Sequence, residues 1–450
     1  MKLIKNAVYL FVASLFLTQS CVKDEENIFD DTASARGQKA VEEYRQLLVS
    51  AENGWYVDYY PELDHKVGGY AMYLKFSSDG TVDVSCEIAT NLPARQIETS
   101  QFEVFMEQGP ILSFSTYNKV MHYFSEPYST DVNGREGDYE FIIMKTETDE
   151  IIIKGKKGGN KMTLRRNTGN LNPDTHLAEI ADLVYKLSTY GMFEFVVADN
   201  SIGIATVTER TFDMEYADNT NTAKISYAFT ADGIKLYEPY TLNGVSMRNF
   251  VWDDANERYV CTDQGANAYL KAYFPPDYQI KYDDFLGKWK LNYQPRNSSG
   301  WLTADMDTVE FVELKRNSSF MMKCDKMFNF AGITLTFDSR KGTVSINCIN
   351  TDVHSSGNFI RQCPYDTQAG YIYTSVYNPP DYLGGLIGVW NNDENGERII
   401  TFEDNKVWST YTADGILLRL YNASNTSQGN YSGNIDGKYG FRNLVLTKVD

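Results

Sequence analysis

Histidine is scarce in this chain: four in 450 residues, at His65, His122, His176 and His354. No two are close in sequence and there is no H-E-x-x-H, so no zinc site on a single helix can be read. A G-x-S-x-G elbow and any C-x-x-C are also missing, which removes a hydrolase nucleophile turn, zinc ribbons and thioredoxin-like motifs. The stretch GKKGGNKMT (155–163) lacks the Lys-Ser/Thr order of a phosphate loop and joins two strand-like runs, so a hairpin turn is expected there. Asp393, Glu394 and Glu397 lack the further ligands of a calcium loop and are expected to form a turn. Basic residues are outnumbered, 42 to 60, for a formal charge of −18. That excludes phosphate-backbone recognition, and hence nucleic-acid partners, because such binding needs a basic face. Carboxylates are abundant, but a glycosidase pair is defined by separation in space, not by abundance. No catalytic residue, metal ligand or cofactor is assigned, and a non-enzymic protein is expected.

What is present begins at the start of the chain. Lys2 and Lys5 precede an eleven-residue apolar run, AVYLFVASLFL (7–17), and Thr18, Gln19 and Ser20 lead to Cys21. This is the order of a secretory signal peptide over 1–20, and the run is short of the about 20 residues a membrane span needs. A cysteine directly after the cleavage point predicts lipid attachment at Cys21. Thr18 stands where the lipobox usually has leucine, and an ordinary secreted protein with an incidental Cys21 is the alternative. Asp24, Glu25, Glu26, Asp30 and Asp31 make residues 21–35 an acidic tether with little to bury.

Beyond it the pattern is mainly β with some α. Aromatics are 14% of the chain, with 32 Tyr and 24 Phe, residues that favour pleated, half-buried surfaces. Residues 38–53 carry apolar positions at helical spacing, stopped by Gly54; Asn172 and Pro173 open a second amphipathic helix. Between and after them come strand runs: GWYVDYYPE, a hairpin over 67–88 turning at Asp79-Gly80, two strands in 109–124, a meander over 138–166, and a hairpin turning at Asp232-Gly233. The expected α+β antiparallel-sheet domain covers 36–272, as one unit or as halves 36–168 and 173–272. AYFPPDY (272–278) then recurs as VYNPPDY (376–382), each followed by a Gly-x-Trp ending at Trp289 or Trp390. This repeat predicts tandem small β-barrel or β-sandwich units, 273–378 and 379–450, with one domain or two left open. The Gly-x-Trp opening resembles the start of lipocalin-like barrels. Five cysteines follow Cys21: Cys86, Cys261, Cys324, Cys348 and Cys363. Their odd number leaves at least one unpaired; a bridge is looked for first among the last three, with buried free thiols as the alternative.

Five stretches, AENGWYVDYYPE, GGYAMYLKFSSDGTVDVS, GPILSFSTYNKVMHYFSEP, EGDYEFIIMKTETDEIIIKGKKGGNKMTLRR and YAFTADGIKLYEP, occur in that order. Together they resemble a lipoprotein family of the Bacteroidetes known as domain of unknown function 4302, over residues 30–265. The resemblance implies a lipid-anchored envelope protein, encoded beside an outer-membrane nutrient-uptake receptor, and the acidic residues just after Cys21 resemble the export signal that places Bacteroidetes lipoproteins on the cell surface at the outer membrane. The expected role is capture of a glycan or peptide nutrient alongside that receptor; a structural or adhesive module contacting envelope proteins, and a hydrolase with an unrecognised site, are the alternatives. Trp55, Tyr56, Tyr59 and Tyr60 form the densest aromatic cluster and are the candidate ligand-stacking residues, although strand alternation sends about half of them inward. Replacing Cys21 by Ser is expected to abolish incorporation of labelled palmitate and to move the protein from the membrane to the soluble fraction. Unchanged fractionation would leave Cys21 without this role.

Overall fold

An amphipathic helix needs a sheet to lie on, and the first one finds it at once. The computed structural model describes residues 33–88, 97–127, 134–169, 171–218, 222–324, 330–353, 358–372, 383–422, 424–431 and 437–449. The leader, Cys21, His354 and the second PPDY lie outside these. Helix α1 (Ala33–Val49) buries Leu48, and Gly54 turns the chain with φ +76° into β1 (Trp55–Tyr59). Then follow β2 (Tyr70–Phe76), β3 (Thr81–Cys86), β4 (Glu98–Gln101), β5 (Glu103–Met106), β6 (Pro110–Ser113), helix α2 (Lys119–His122), β7 (Glu140–Thr146), β8 (Glu150–Gly155) and β9 (Lys161–Arg166). The antiparallel order is β4-β3-β2-β1-β9-β8-β7-β6-β5. β4 and β5 are opposite edges, yet only the buried Phe102 separates them in the chain. The sheet must therefore roll up until its edges nearly meet.

One expected strand is a helix instead. In 109–124 only β6 is extended; the buried Asn118 side chain accepts from the backbone N–H groups of Val120 and Met121 at 3.1 and 3.0 Å, which caps α2. The meander over 138–166 and the hairpin at Asp79-Gly80 form as the turn residues dictate.

The second half opens with α3 (Pro173–Leu187), where Asn172 Oδ1 accepts from Thr175 N at 3.1 Å. Eight strands close a barrel: β10 (Met192–Val197), β11 (Asn200–Thr208), β12 (Thr211–Tyr216), β13 (Thr222–Phe229), β14 (Gly233–Leu242), β15 (Val245–Asp253), β16 (Arg258–Cys261) and β17 (Ala268–Ala272), with β17 returning to pair with β10.

The two halves share a wall. β2 is buried on both faces: Met72 and Leu74 enter the first core, while Ala71 and Tyr73 enter the second with α3 and the closed barrel. At the seam Gly69 N donates to Tyr227 O at 2.9 Å. Arg210 Nη1 donates to Gly69 O and to Glu87 Oε1, both at 2.7 Å, and Nη2 to Glu87 Oε2 at 3.1 Å. Burial disfavours the guanidinium charge, and Glu87 more than restores it, so Arg210 titrates above its ordinary range.

The expected unit boundary at 378/379 does not divide two domains. Gly287–Asn297 pairs with Asp305–Lys315, and the ring continues through Ser319–Lys323, Ile333–Asp338, Thr343–Asn347, Gly385–Asn392, Arg398–Asp404 and Gly440–Lys448, which pairs back onto Gly287–Asn297. Strands from both repeats thus build one closed ring around one core. Trp289 is fully buried, its Nε1 donates to Phe285 O at 2.9 Å, and its ring lies 6.2 Å from that of Trp390. The repeat encodes two sectors of one body, because neither could bury its apolar face alone. None of the five described cysteines forms a disulfide, and all five are buried.

Removing one member of a buried pair strands the other charge. Arg210→Met is expected to destabilise the protein by about 3–5 kcal/mol, and the double variant with Glu87→Leu by clearly less. A double-mutant cycle in urea measures this; additive losses would show that the pair does not couple the barrels.

Candidate functional site

The end of α3 does not lie flat on the closed barrel. Its last turn, the adjoining wall of the first barrel, and a turn of the third body leave a cavity of about 740 Å³ among them. Tyr70, Glu87, Tyr123 and Arg135 come from the first barrel; Val184, Tyr185, Leu187 and Ser188 from α3 and its end. Phe193, Arg210, Tyr227, Phe229 and Tyr259 come from the closed barrel, and Lys315 and Arg316 from the third body.

Aromatic faces dominate. Tyr227 stacks on Phe212 with centroids 4.6 Å apart, and Phe193 leans on Tyr259 at 5.3 Å and on Tyr190 at 6.0 Å. Arg210 lies 4.0 Å over the Tyr70 ring, which fixes that ring between charge and barrel. Arg135 Nη1 donates to Tyr70 OH at 2.8 Å. At the rim Tyr185 is 52% exposed; Arg316 covers one face of its ring at 4.6 Å, and its hydroxyl donates to Glu313 at 2.8 Å. Burial pushes Tyr70 up to about 12, against the pull of Arg210 and Arg135. Burial also raises Tyr190, Tyr227 and Tyr259. These phenols stay neutral, able to donate and accept. Both lining carboxylates sit in ion pairs, Glu87 with Arg210 and Glu209 with Arg135 at 3.5 Å. Apolar and aromatic faces with a few neutral phenols among them suit the binding of a small organic ligand.

The aromatic cluster chosen from sequence sits elsewhere. Trp55 and Tyr59 point into the first barrel, fully buried; Trp55 Nε1 donates to Leu48 O at 2.8 Å and Tyr59 OH to Asp138 O at 2.8 Å. Neither presents a face to a ligand, and this expectation is corrected. Tyr56 and Tyr60 take the outer face of the strand, but the second barrel covers it. Tyr56 OH donates to Asp58 at 2.5 Å and its ring meets His176; Tyr60 packs on Tyr237 at 4.6 Å and borders a smaller, polar pocket. The residues that do line the large cavity come in short groups from elements far apart in the sequence. Only the overall tyrosine excess hinted at them. Among the described residues, no group of three or more His, Cys, Asp or Glu could hold a metal.

Residues 25–254 match the model of the family described as Domain of unknown function (DUF4302), and residues 262–418 match a second, DUF4987, also a domain of unknown function. The first match spans half the chain, covering the whole first barrel and all but the last two strands of the second, so the chain belongs to the DUF4302 family. The second runs across 378/379, in keeping with a single C-terminal body. No curated protein matches.

His176, on α3, shares a hydrogen bond at 3.0 Å with Tyr73 OH in the wall between the barrels. Burial holds its imidazole below the usual value of 6.5. The unfolded chain therefore takes up the proton first as pH falls. The contribution to stability is whole above about 6.5 and is lost as pH drops below it toward the lowered folded value. Melting temperature is expected to fall from pH 7.5 to 5, less steeply in His176→Gln. An identical slope would remove His176 from the account.

Proposed function

We propose that this member of the DUF4302 family is a non-catalytic, lipid-anchored protein of the bacterial cell surface. It captures a glycan or peptide nutrient beside an outer-membrane uptake receptor. The observation that carries the reading is the tyrosine-walled cavity where the three bodies meet. Its volume suits one or two sugar rings or a short peptide, within the roughly 300–1,000 Å³ of ordinary ligand pockets. The C–H faces of sugars and apolar side chains pack on aromatic faces, and neutral phenols supply hydrogen bonds in either direction. Anchoring at Cys21 through an acidic leash would keep such a cavity near the membrane yet off its negatively charged surface.

The test uses the mature chain on a glycan array and a peptide library, followed by calorimetry on each hit. Tyr185→Ala at the rim and Tyr190→Ala deeper in are expected to weaken binding about tenfold each, or about 1.4 kcal/mol, with unchanged circular dichroism. Silence on both libraries from folded protein would sink the proposal.

A further inference from the structure

A second pocket, of about 470 Å³, lies between the barrels and shares no lining residue with the tyrosine cavity. It is a product of strand alternation. Asp58 on β1, then Lys161, Thr163 and Arg165 on β9, and Lys235 and Tyr237 on β14, are the outward positions of three strands. Their inward neighbours, such as Val57, Leu164 and Leu236, fill the cores. Arg248 on β15 completes the wall.

The charge of this pocket opposes that of the chain. In a protein of net charge −18, four cations, Lys161, Arg165, Lys235 and Arg248, face two carboxylates, Asp58 and Glu238. Asp58 is already engaged: it accepts from Lys235 Nζ at 2.8 Å and from Tyr56 OH at 2.5 Å, with Arg165 at 3.7 Å. Arg165 also faces Glu150 at 3.8 Å. Among the described residues, the Arg248 guanidinium donates only to neutral carbonyls, Leu236 O at 3.3 Å and Tyr237 O at 3.1 Å. Those two bonds hold it in place without cancelling its charge. Among the described residues neither Arg248 nor Lys161 makes an ion pair. Two uncompensated cations thus stand against one uncompensated acid, Glu238. That balance favours a monoanion over a dianion. A half-buried guanidinium fixed through two of its donors is preorganised to offer the rest to a planar anion. Tyr237, wedged against Tyr60 at 4.6 Å and His65 at 4.0 Å, forms a rigid aromatic flank beside it.

We infer that this pocket is a second binding site, and that it takes the carboxylate of a small ligand between Arg248 and Lys161. A uronic-acid sugar and a peptide C-terminus share that chemistry. The inference stands on its own geometry and does not rest on the role given to the tyrosine cavity.

The experiment is calorimetry at low salt on the full mature chain. The probes are trigalacturonate, the matching neutral galactose trimer, and trialanine with a free or amidated C-terminus. An acid form bound about tenfold more tightly than its neutral match, with affinity falling as salt rises, is expected. Preference for the uronate assigns the site to acidic sugars, and preference for free over amidated trialanine assigns it to peptide ends. Lys161→Gln, exposed and without an ion pair, and Arg248→Gln should each weaken the acid about tenfold, while Tyr185→Ala in the other cavity should leave it unchanged. Because Arg248→Gln also loses two backbone contacts, Lys161→Gln keeps the test decisive if that variant misfolds. Equal binding of acid and neutral forms, no binding of either acid, or indifference to Lys161→Gln would overturn the inference.

Discussion

Two barrels can share a strand wall only if the shared strand has no polar face left over. β2 meets that condition over residues 70–74, with apolar and aromatic side chains sent both ways from alternate positions, and its one exposed residue, Lys75, lies beyond that stretch. The cost falls at its ends, where backbone and charge must still be satisfied out of water. Glu87 and Arg210 answer it together. Glu87 accepts from Ala71 N at 2.8 Å as well as from Arg210, and Arg210 reaches back to Gly69 O. The approach is close: a Cβ on Gly68 would come within 2.3 Å of Arg210 Cβ, and φ +68° there already favours glycine. Everything else in the N-terminal half is arranged around this fixed crossing.

Both proposed sites follow from it. Curved surfaces that touch along one line diverge on either side of it. The gaps take the chemistry of whichever residues the strands point outward there. On one side, α3 and the third body roof the gap with rings; on the other, β9 and β14 contribute alternate lysines and arginines. The difference between an aromatic cavity and a cationic one is a matter of which outward positions face the gap.

Local features were legible in the sequence and long-range ones were not. Asn172-Pro173 marks a helix start because capping is decided within four residues, and Asp-Gly turns mark hairpins for the same reason. Asn118 went unread because its neighbours Phe114, Val120 and Phe124 look strand-like until its side chain is known to bond the amides two and three residues on. The mainly β character and the DUF4302 blocks were readable. The Trp55–Tyr60 stretch misled because alternation shows two faces but not that both are covered. The PPDY and Gly-x-Trp repeat suggested two units but not one body, since sequence shows recurrence and not whether the copies close on each other. The site residues were illegible for a simpler reason: no two barrel walls need to be neighbours in the chain to be neighbours in space.

That closure has a consequence for timing. The strand Gly440–Lys448 pairs with Gly287–Asn297, and this contact seals the C-terminal ring. A chain that emerges from its N-terminus can complete both N-terminal barrels while the ring still has an open edge and an exposed apolar lining. Pairing so distant in sequence is slow to form. The last body to become safe from aggregation is therefore the one whose final strand arrives last, and the finished N-terminal pair is the scaffold available for it to close against.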